Sequence, residues 1–191
     1  MISHVPEEEC MKAVVFLADG FEECEALITV DILRRAGVET IMASVSGRPE
    51  AESSRGIWIR TDLPAEDVDF GSVDMIVLPG GRTGTENMAA SDIVTKQCRA
   101  FAAEKYVAAI CAAPSVLAGL GLLEGKRATC HPDFEPHMAG AVLTHDSVTT
   151  DGNIITGQGL GATFDFAFKL TEILAGEDKV ASIKKAICYR H

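Results

Sequence analysis

The stretch Val107-Ala108-Ala109-Ile110-Cys111-Ala112-Ala113-Pro114-Ser115 joins a short apolar run to the start of a helix. Four apolar residues lead to Cys111, and after a few small residues and a proline the apolar residues resume at helical spacing. Pro114 suits the first turn of that helix, because the N–H group that proline lacks would have no partner there. The stretch therefore predicts a buried strand, a sharp turn at Cys111 and a helix.

A thiol at such a turn would face the free N–H groups and the positive end of the helix. This setting favours the thiolate and predicts a thiol pKa below the ordinary value of about 8.5. The alternative is that Cys111 is a small buried apolar residue with no reactive role. Both interpretations are open on this stretch alone.

The overall composition predicts one folded α/β domain. The chain has 191 residues, of which 47% are hydrophobic and 24% charged, and this suits a single domain with a sizeable core. Its formal net charge of −11 disfavours nucleic-acid backbones and anionic membrane surfaces as partners. No apolar run approaches the roughly 20 residues that span a bilayer. Residues 1–10 carry no secretory signal and are predicted to be a flexible tail, followed by one domain over 11–191.

The six cysteines are scattered and form neither a CxxC pair nor a zinc-finger spacing with histidine. In an acidic chain without a signal peptide, this usage predicts reduced thiols in the cytoplasm. The sequence therefore predicts no metal site.

Nearly continuous apolar runs at 12–18, 38–45, 73–78 and 107–110 predict strands buried on both faces, as in a parallel sheet. Helical spacing separates them, so we expect a mostly parallel sheet covered by helices on both faces. Asp151-Gly152 predicts a hairpin turn, and the acidic segment 63–70 predicts a short helix and loop. Sites in such folds form at the carboxyl ends of strands. Segment 19–25, a predicted glycine-rich turn at 79–84 and Cys111 lie at such ends, and their convergence favours a reactive Cys111.

Three glutamates, Glu22, Glu23 and Glu25, begin the first predicted helix, with Asp19 and Glu22 as its expected capping pair. All three glutamates would interact favourably with the helix dipole, and this role suffices for Glu22 and Glu23. Glu25 is followed by apolar residues and points to a second role. A carboxylate beside a thiolate repels it, so one of the two keeps a proton. We therefore predict a protonated Glu25 that donates to the Cys111 thiolate.

Other groups near these strand ends suit the binding of a substrate oxygen. Gly80 and Gly81 would let backbone N–H groups approach it, together with the N–H of Ala112; alternatively, the glycines only serve a tight turn. His131 follows a later strand and would carry protons, since its unperturbed pKa is about 6.5; a structural histidine is the alternative. Segment 157–162 matches a dinucleotide fingerprint, but no acidic strand end follows it, so we predict a tight turn and no cofactor.

The sequence resembles the DJ-one/YajL-like branch of the ThiJ/PfpI superfamily. The matching segments span the chain from about residue 11 onward: 17–25, 31–37, 78–81, 108–114 and 161–166. The resemblance implies a flavodoxin-like three-layer sandwich, a homodimer and no cofactor. It implies that Cys111 is the nucleophile, Glu25 its protonated partner and His131 the nearby histidine. It also implies an oxyanion pocket at Gly81 and Ala112 and a substrate-binding Arg55 that reaches the site from the dimer partner.

Two functions implied by the resemblance use these same residues and remain open. One is glyoxalase III-like or deglycase processing of α-oxoaldehydes or glycated groups in stress defence. The other is a redox-sensing or chaperone-like role in which Cys111 oxidises to a sulfinate. Ala112 stands where the protease-like branch has histidine, so an intracellular protease is disfavoured. No residue supports thiamine-related metabolism. Leu160 replaces a proline that is common in the family.

Overall fold

The structure, a computed structural model, describes residues 10–190. Nine of the ten residues of the predicted tail therefore lie outside the described residues. The helices are α1 (Glu23–Arg35), α2 (Arg82–Ala90), α3 (Asp92–Glu104), α4 (Pro114–Gly119), α5 (Thr163–Ala175) and α6 (Glu177–Ala186). The strands are β1 (Lys12–Leu17), β2 (Glu39–Ser44), β3 (Glu50–Glu52), β4 (Trp58–Arg60), β5 (Leu63–Pro64), β6 (Met75–Leu78), β7 (Tyr106–Ile110), β8 (Arg127–Ala128), β9 (Val142–Leu143), β10 (Val148–Asp151) and β11 (Ile154–Gly157).

The main sheet contains seven strands in the order β10-β11-β7-β6-β1-β2-β5. All neighbouring pairs are parallel except β10 with β11, which form the hairpin predicted at Asp151-Gly152. The chain leaves β1 toward β2 on one side, and β6 later pairs with β1 on the other. Such a reversal of direction opens a crevice at the carboxyl ends of the two strands. The segments after β1 and β6 therefore meet there.

Helices cover both faces of the sheet because its central strands are apolar on both sides. In β1, Val14 and Phe16 face one layer, which includes Met88 of α2 and Val94 of α3. Val15 and Leu17 face the opposite layer, which contains side chains of α1, α5 and α6. Alternate residues of a strand point to opposite faces, so one strand contributes to both cores. The predicted flavodoxin-like three-layer α/β sandwich is confirmed.

Two local predictions were wrong. Segment 63–70 begins as the edge strand β5, paired in parallel with β2, before two short 3-10 turns at 65–67 and 70–72. Pairing with a neighbouring strand overrides the local preference of an acidic segment. The predicted glycine-rich turn at 79–84 is also shorter than expected, because α2 already begins at Arg82.

A separate hairpin made of β3 and β4 packs against the start of α1. The N–H of Gly20 donates to Glu52 O over 2.7 Å, and the N–H of Ser54 donates to Phe21 O over 2.7 Å. These bonds attach the hairpin to the turn between β1 and α1. The loop that carries Arg55 is held near the carboxyl end of β1 as a result.

Candidate active site

Cys111 occupies the sharp turn predicted between β7 and α4. Its φ angle is 66°, in the left-handed region, which costs roughly 1–2 kcal/mol for a residue with a Cβ atom. The N–H of Cys111 donates to Gly157 O over 2.9 Å, and its carbonyl oxygen accepts from the N–H of His131 over 2.9 Å. Hydrogen bonds from two later segments therefore hold the strained residue in place. Its side chain is only partly buried.

Glu25 lies in the first turn of α1 and is 1% exposed. Glu22 caps this helix, since its Oε2 accepts from the N–H of Glu25 over 2.7 Å. One carboxyl oxygen of Glu25, Oε2, accepts from the N–H of Gly80 over 2.8 Å. The other, Oε1, accepts no hydrogen bond from any residue in 10–190. A buried oxygen without a donor favours the protonated acid, which supplies a hydrogen instead of needing one.

Electrostatics agree with a protonated Glu25. The pKa of this carboxyl is raised to about 7: burial is the largest cause and the charge of Glu22 adds to it, while hydrogen bonds from the N–H of Gly80 and from the Cys111 thiol act in the opposite direction. The raised pKa allows Glu25 to give and take a proton near neutral pH.

Gly80 lies between the carboxyl of Glu25 and the side chain of Cys111 and allows the two to come close. A Cβ atom on Gly80 would lie 2.6 Å from Glu25 Oε2 and 2.7 Å from Cys111 Cβ. Gly81 has a φ of 89°, and a Cβ there would lie 2.2 Å from Gly20 O. The absence of both side chains therefore lets the carboxyl approach the thiol and lets the turn after β6 pack against the turn after β1.

The predicted lowering of the Cys111 pKa was wrong. Burial and the charge of Glu25 raise the pKa of the thiol to about 12, whereas the N–H groups of Ala112 and Gly81 act to lower it. The six-residue helix α4 offers too few aligned peptides to overcome the cost of burying a charge. The largest opposing charge disappears once Glu25 is protonated. The thiol and the carboxyl therefore compete for a proton.

Cys111 and Glu25 open into a pocket of about 520 Å³. It is lined by Glu22, Glu25, Arg55, Cys111, His131, Pro132, Ser147, Gln158, Gly159, Leu160, Gly161 and Ala162. His131 and the Cys111 sulfur both border Gly159: a Cβ on Gly159 would be 3.6 Å from His131 Cδ2 and 3.9 Å from Cys111 Sγ. His131 Nδ1 accepts from the N–H of Asp133 over 3.2 Å. In the neutral ring the proton is therefore on Nε2.

The residues that meet at this site, from Glu25 to His131, all lie within one stretch of the chain that matches a protein-family model. The model described as the DJ-1/PfpI family matches residues 11–173. The chain belongs to the DJ-1/PfpI family.

Similar proteins include other members of this family. "Protein dj-1beta" from Drosophila melanogaster is 38% identical over 178 residues, which cover 92% of this chain and 95% of that protein. The crystal structure of Drosophila melanogaster DJ-1beta has a TM-score of 0.90 at 36% identity and covers 95% of this chain and 100% of the other. "Glutathione-independent glyoxalase DJR-1.2" from Caenorhabditis elegans is 32% identical over 170 residues, covering 87% of this chain and 90% of that protein.

The β3–β4 hairpin holds Arg55 at the Cys111 pocket. Arg55 lines the pocket of its own chain, because the hairpin is attached to the turn before α1. The delivery of this arginine to the site by a dimer partner, which the family resemblance implies, stays a prediction.

Eight of the twelve pocket residues were not predicted as site residues, among them Ser147, Gln158 and Leu160. Gln158 and Leu160 belong to the glycine-rich turn at 157–162, which resembled a nucleotide-binding motif and instead forms a wall beside Cys111. The sequence signal for this wall was the group of glycines directly after β11, the strand that pairs with the cysteine-bearing strand β7. Ser147 lies just before the edge strand β10, and its sequence context gave no signal.

Asp19 does not cap α1 as predicted. It lines a second cleft of about 350 Å³ at the same end of the sheet, which we call the Asp19 cleft; its lining residues are Ala18, Asp19, Val45, Ser46, Asn87, Ala90 and Ser91. The Asp19 carboxylate forms an ion pair with Arg48 and accepts from the N–H of Glu52 over 3.0 Å. Asn87 Nδ2 donates to Asp19 O over 2.8 Å. The Asp19 carboxylate and the Asn87 amide therefore already have partners within the protein.

Within residues 10–190, no group of three or more His, Cys, Asp or Glu side chains is arranged to hold a metal ion. Over the same residues, no helix combines the length and apolar character needed to cross a membrane.

Proposed function

We propose that this protein converts α-oxoaldehydes such as methylglyoxal to hydroxy acids, using Cys111 and no cofactor. The observation that carries the proposal is the contact across Gly80 between a strained cysteine and a buried carboxyl whose pKa is raised to about 7. A nucleophile paired with a proton donor near neutral pH is what aldehyde addition requires. The printed name of the Caenorhabditis elegans relative, a glutathione-independent glyoxalase, supports this chemistry.

The first step forms a bond between the Cys111 sulfur and the aldehyde carbon. Glu25 gives its proton to the carbonyl oxygen, so that a hemithioacetal results and Glu25 becomes a carboxylate. The N–H groups of Gly81 and Ala112 stabilise the negative charge that develops on this oxygen. The reactive state is the one in which the proton of the pair is on Glu25 and Cys111 is the thiolate. Glu25 is then neutral, so the thiolate does not face the negative charge that helps to raise the thiol pKa.

The hemithioacetal then rearranges to a thioester. The hydrogen on the first carbon leaves as a proton to Glu25 or His131 and returns on the second carbon, while the hydroxyl hydrogen passes from the first oxygen to the second. Water cleaves the thioester; its hydroxyl joins the acyl carbon, and its proton restores the cysteine–glutamate pair. The sum is methylglyoxal plus water giving lactic acid, which releases a proton to become lactate, with no external oxidant or reductant.

Turnover of methylglyoxal to lactate by the purified protein tests the proposal. We expect Cys111→Ser and Glu25→Gln each to lower turnover by about a hundredfold or more, because each removes a nucleophile or a proton carrier. Cys24→Ser is the matched control, since Cys24 is an exposed cysteine on the same helix as Glu25 and its loss should leave turnover intact. Unchanged turnover in Cys111→Ser would contradict the proposal. The same assay with an early glycation adduct tests deglycase activity.

A redox-sensing or chaperone-like role is the second candidate. The partly buried Cys111 faces the N–H groups of Gly81 and Ala112, which would stabilise a sulfinate anion. Two equivalents of hydrogen peroxide would oxidise the thiol to sulfinate and be reduced to water. Mass spectrometry after peroxide treatment should find oxidation concentrated at Cys111, alongside negligible aldehyde turnover. Equal oxidation at the exposed Cys10, Cys24 and Cys188 would argue against this role.

We further propose that the protein is a cytoplasmic homodimer that acts in stress defence, as the family resemblance implies. Light scattering coupled to size-exclusion chromatography would give the mass of the particle. A mass near twice 20.3 kDa supports the dimer, and the mass of one chain contradicts it.

A further inference from the structure

We infer that Leu160 gives this site a preference for α-oxoaldehydes that carry an apolar substituent on the second carbon. Leu160 is 51% exposed and lines the Cys111 pocket. Among residues 10–190, it is the only one of six large exposed apolar side chains that does so; the others are Ile57, Trp58, Leu63, Val142 and Phe164. The inference rests on the function proposed above and concerns the choice among substrates of that reaction.

The position of Leu160 follows from its neighbour Gly159. A side chain on Gly159 would come within 3.9 Å of Cys111 Sγ, so this glycine leaves room beside the sulfur for the carbon that bonds to it. Leu160 is the next residue along the same wall. A substituent one carbon away from the reacting aldehyde is therefore suitably placed to contact Leu160.

The wall at Leu160 is held in a fixed shape before any substrate binds. Thr163 Oγ1 donates to Leu160 O over 2.7 Å, and the N–H of Ala162 donates to Gly159 O over 2.8 Å. These bonds form the short turn that begins α5. Because the backbone is already ordered, contact with the leucine side chain adds binding energy without ordering a loop.

The surrounding surface continues this apolar wall. Gly161 and Ala162 follow Leu160 in the lining, and Pro132 also lines the pocket. A hydrogen on the second carbon, as in glyoxal, gives this surface nothing to contact. A methyl group, as in methylglyoxal, or a phenyl ring, as in phenylglyoxal, would remove apolar area of Leu160 from water.

The test compares kcat/KM for phenylglyoxal, methylglyoxal and glyoxal in three variants. Leu160→Asn keeps much of the side-chain size but removes its apolar character. We expect it to lower the phenylglyoxal-to-glyoxal ratio of kcat/KM about tenfold and the methylglyoxal-to-glyoxal ratio about threefold. Leu160→Met, which remains apolar, should keep both ratios within about twofold of the unsubstituted protein. Val142→Thr changes an exposed apolar residue outside the pocket and should not alter them.

Two outcomes overturn the inference, and they are distinguishable. If Leu160→Asn turns over aldehydes with unchanged ratios, Leu160 does not select the substrate, although the proposed function stands. If the unsubstituted protein turns over none of the three aldehydes, the proposed function is wrong and the inference fails with it. Thermal denaturation verifies that each variant is folded, and Leu160→Ala repeats the measurement if Leu160→Asn is not.

Discussion

The Cys111 pocket and the Asp19 cleft lie at the same end of the same sheet but differ in how their polar groups are satisfied. In the Asp19 cleft, the carboxylate already has a guanidinium partner and a backbone donor. In the Cys111 pocket, Glu25 keeps one oxygen without a donor, and Cys111 keeps a left-handed backbone. The fold alone therefore does not make a reactive site; strain and an incompletely bonded acid distinguish one cleft from the other.

Adding one methyl group at the centre of the Cys111 pocket should have the largest effect. In Gly80→Ala, the new Cβ would lie 2.6 Å from Glu25 Oε2 and 2.7 Å from Cys111 Cβ, so the two groups must move apart. We expect methylglyoxal turnover to fall about a hundredfold, and overpacking to cost about 1–3 kcal/mol of stability. Gly119→Ala is the control, because a Cβ there meets nothing within 4 Å. Normal turnover in Gly80→Ala would show that the close approach is unimportant.

The buried carboxyl of Glu25 in the Cys111 pocket should make the free energy of unfolding depend on pH. Because folding raises the Glu25 pKa from 4.5 to about 7, the folded state binds the proton more tightly. The resulting stabilisation is complete below about pH 4.5 and is lost as the pH rises through 7. Relative to Glu25→Gln, we expect the unsubstituted protein to lose about 3 kcal/mol over this range.

Urea denaturation of both proteins between pH 4.5 and pH 8 measures this difference. Glu104→Gln serves as a control for an exposed glutamate at the end of α3. Parallel stability curves for Glu25→Gln and the unsubstituted protein would contradict the raised pKa.

The backbone strain at Cys111 predicts a smaller effect on stability: at this position glycine should be more stabilising than alanine, the reverse of the usual order. Glycine adopts a φ of 66° without the steric cost that a Cβ atom brings. Cys111→Gly should therefore be more stable than Cys111→Ala by about 1 kcal/mol, although both lack the nucleophile. At the exposed helical position Ala100, a change to glycine should instead cost about 1 kcal/mol. Denaturation midpoints of the three variants decide the matter; equal stability of the two Cys111 variants would mean the turn is unstrained.

The Asp19 cleft predicts the smallest effect. Arg48 pairs with Asp19 while the two side chains are 50% and 36% exposed, and such ion pairs contribute less than about 1 kcal/mol. Arg48→Ala should lower stability by no more than this and leave methylglyoxal turnover unchanged. A tenfold loss of turnover would mean that the two clefts function together.

The main strands and the Cys111 turn could be predicted from the sequence because their signals are local. Apolar runs mark strands buried on both faces, and Pro114 marks the start of α4. The meeting of Glu25, Gly80 and Cys111 also followed, since the carboxyl ends of parallel strands share one edge of the sheet. The roles of these residues in catalysis stay predictions.

Features that depend on distant contacts could not be predicted in this way. Residues 63–64 form a strand because β2 has an edge with which they pair. The Asp19 side chain pairs with Arg48 of another loop instead of capping α1. The Cys111 pKa was misjudged because the sequence indicates a helix N-terminus but not how deeply the sulfur is buried. Arg55 lies at the pocket because the β3–β4 hairpin is bonded to the turn between β1 and α1. No local sequence pattern indicates these bonds.

The ends of the seven-stranded sheet bear on how chains can associate. On one side the sheet stops at β5, which has two residues, and one of them is Pro64, with no N–H group to offer. On the other side, β8 packs beside β10, and the N–H of Arg127 in β8 donates to the side-chain carboxylate of Asp151 over 2.9 Å. Neither edge of the sheet favours pairing with a strand of another chain, so the growth of fibres by edge-to-edge addition is disfavoured. For the proposed homodimer, we therefore expect an interface formed by helices or by the β3–β4 hairpin and not by a sheet that continues from one subunit to the next.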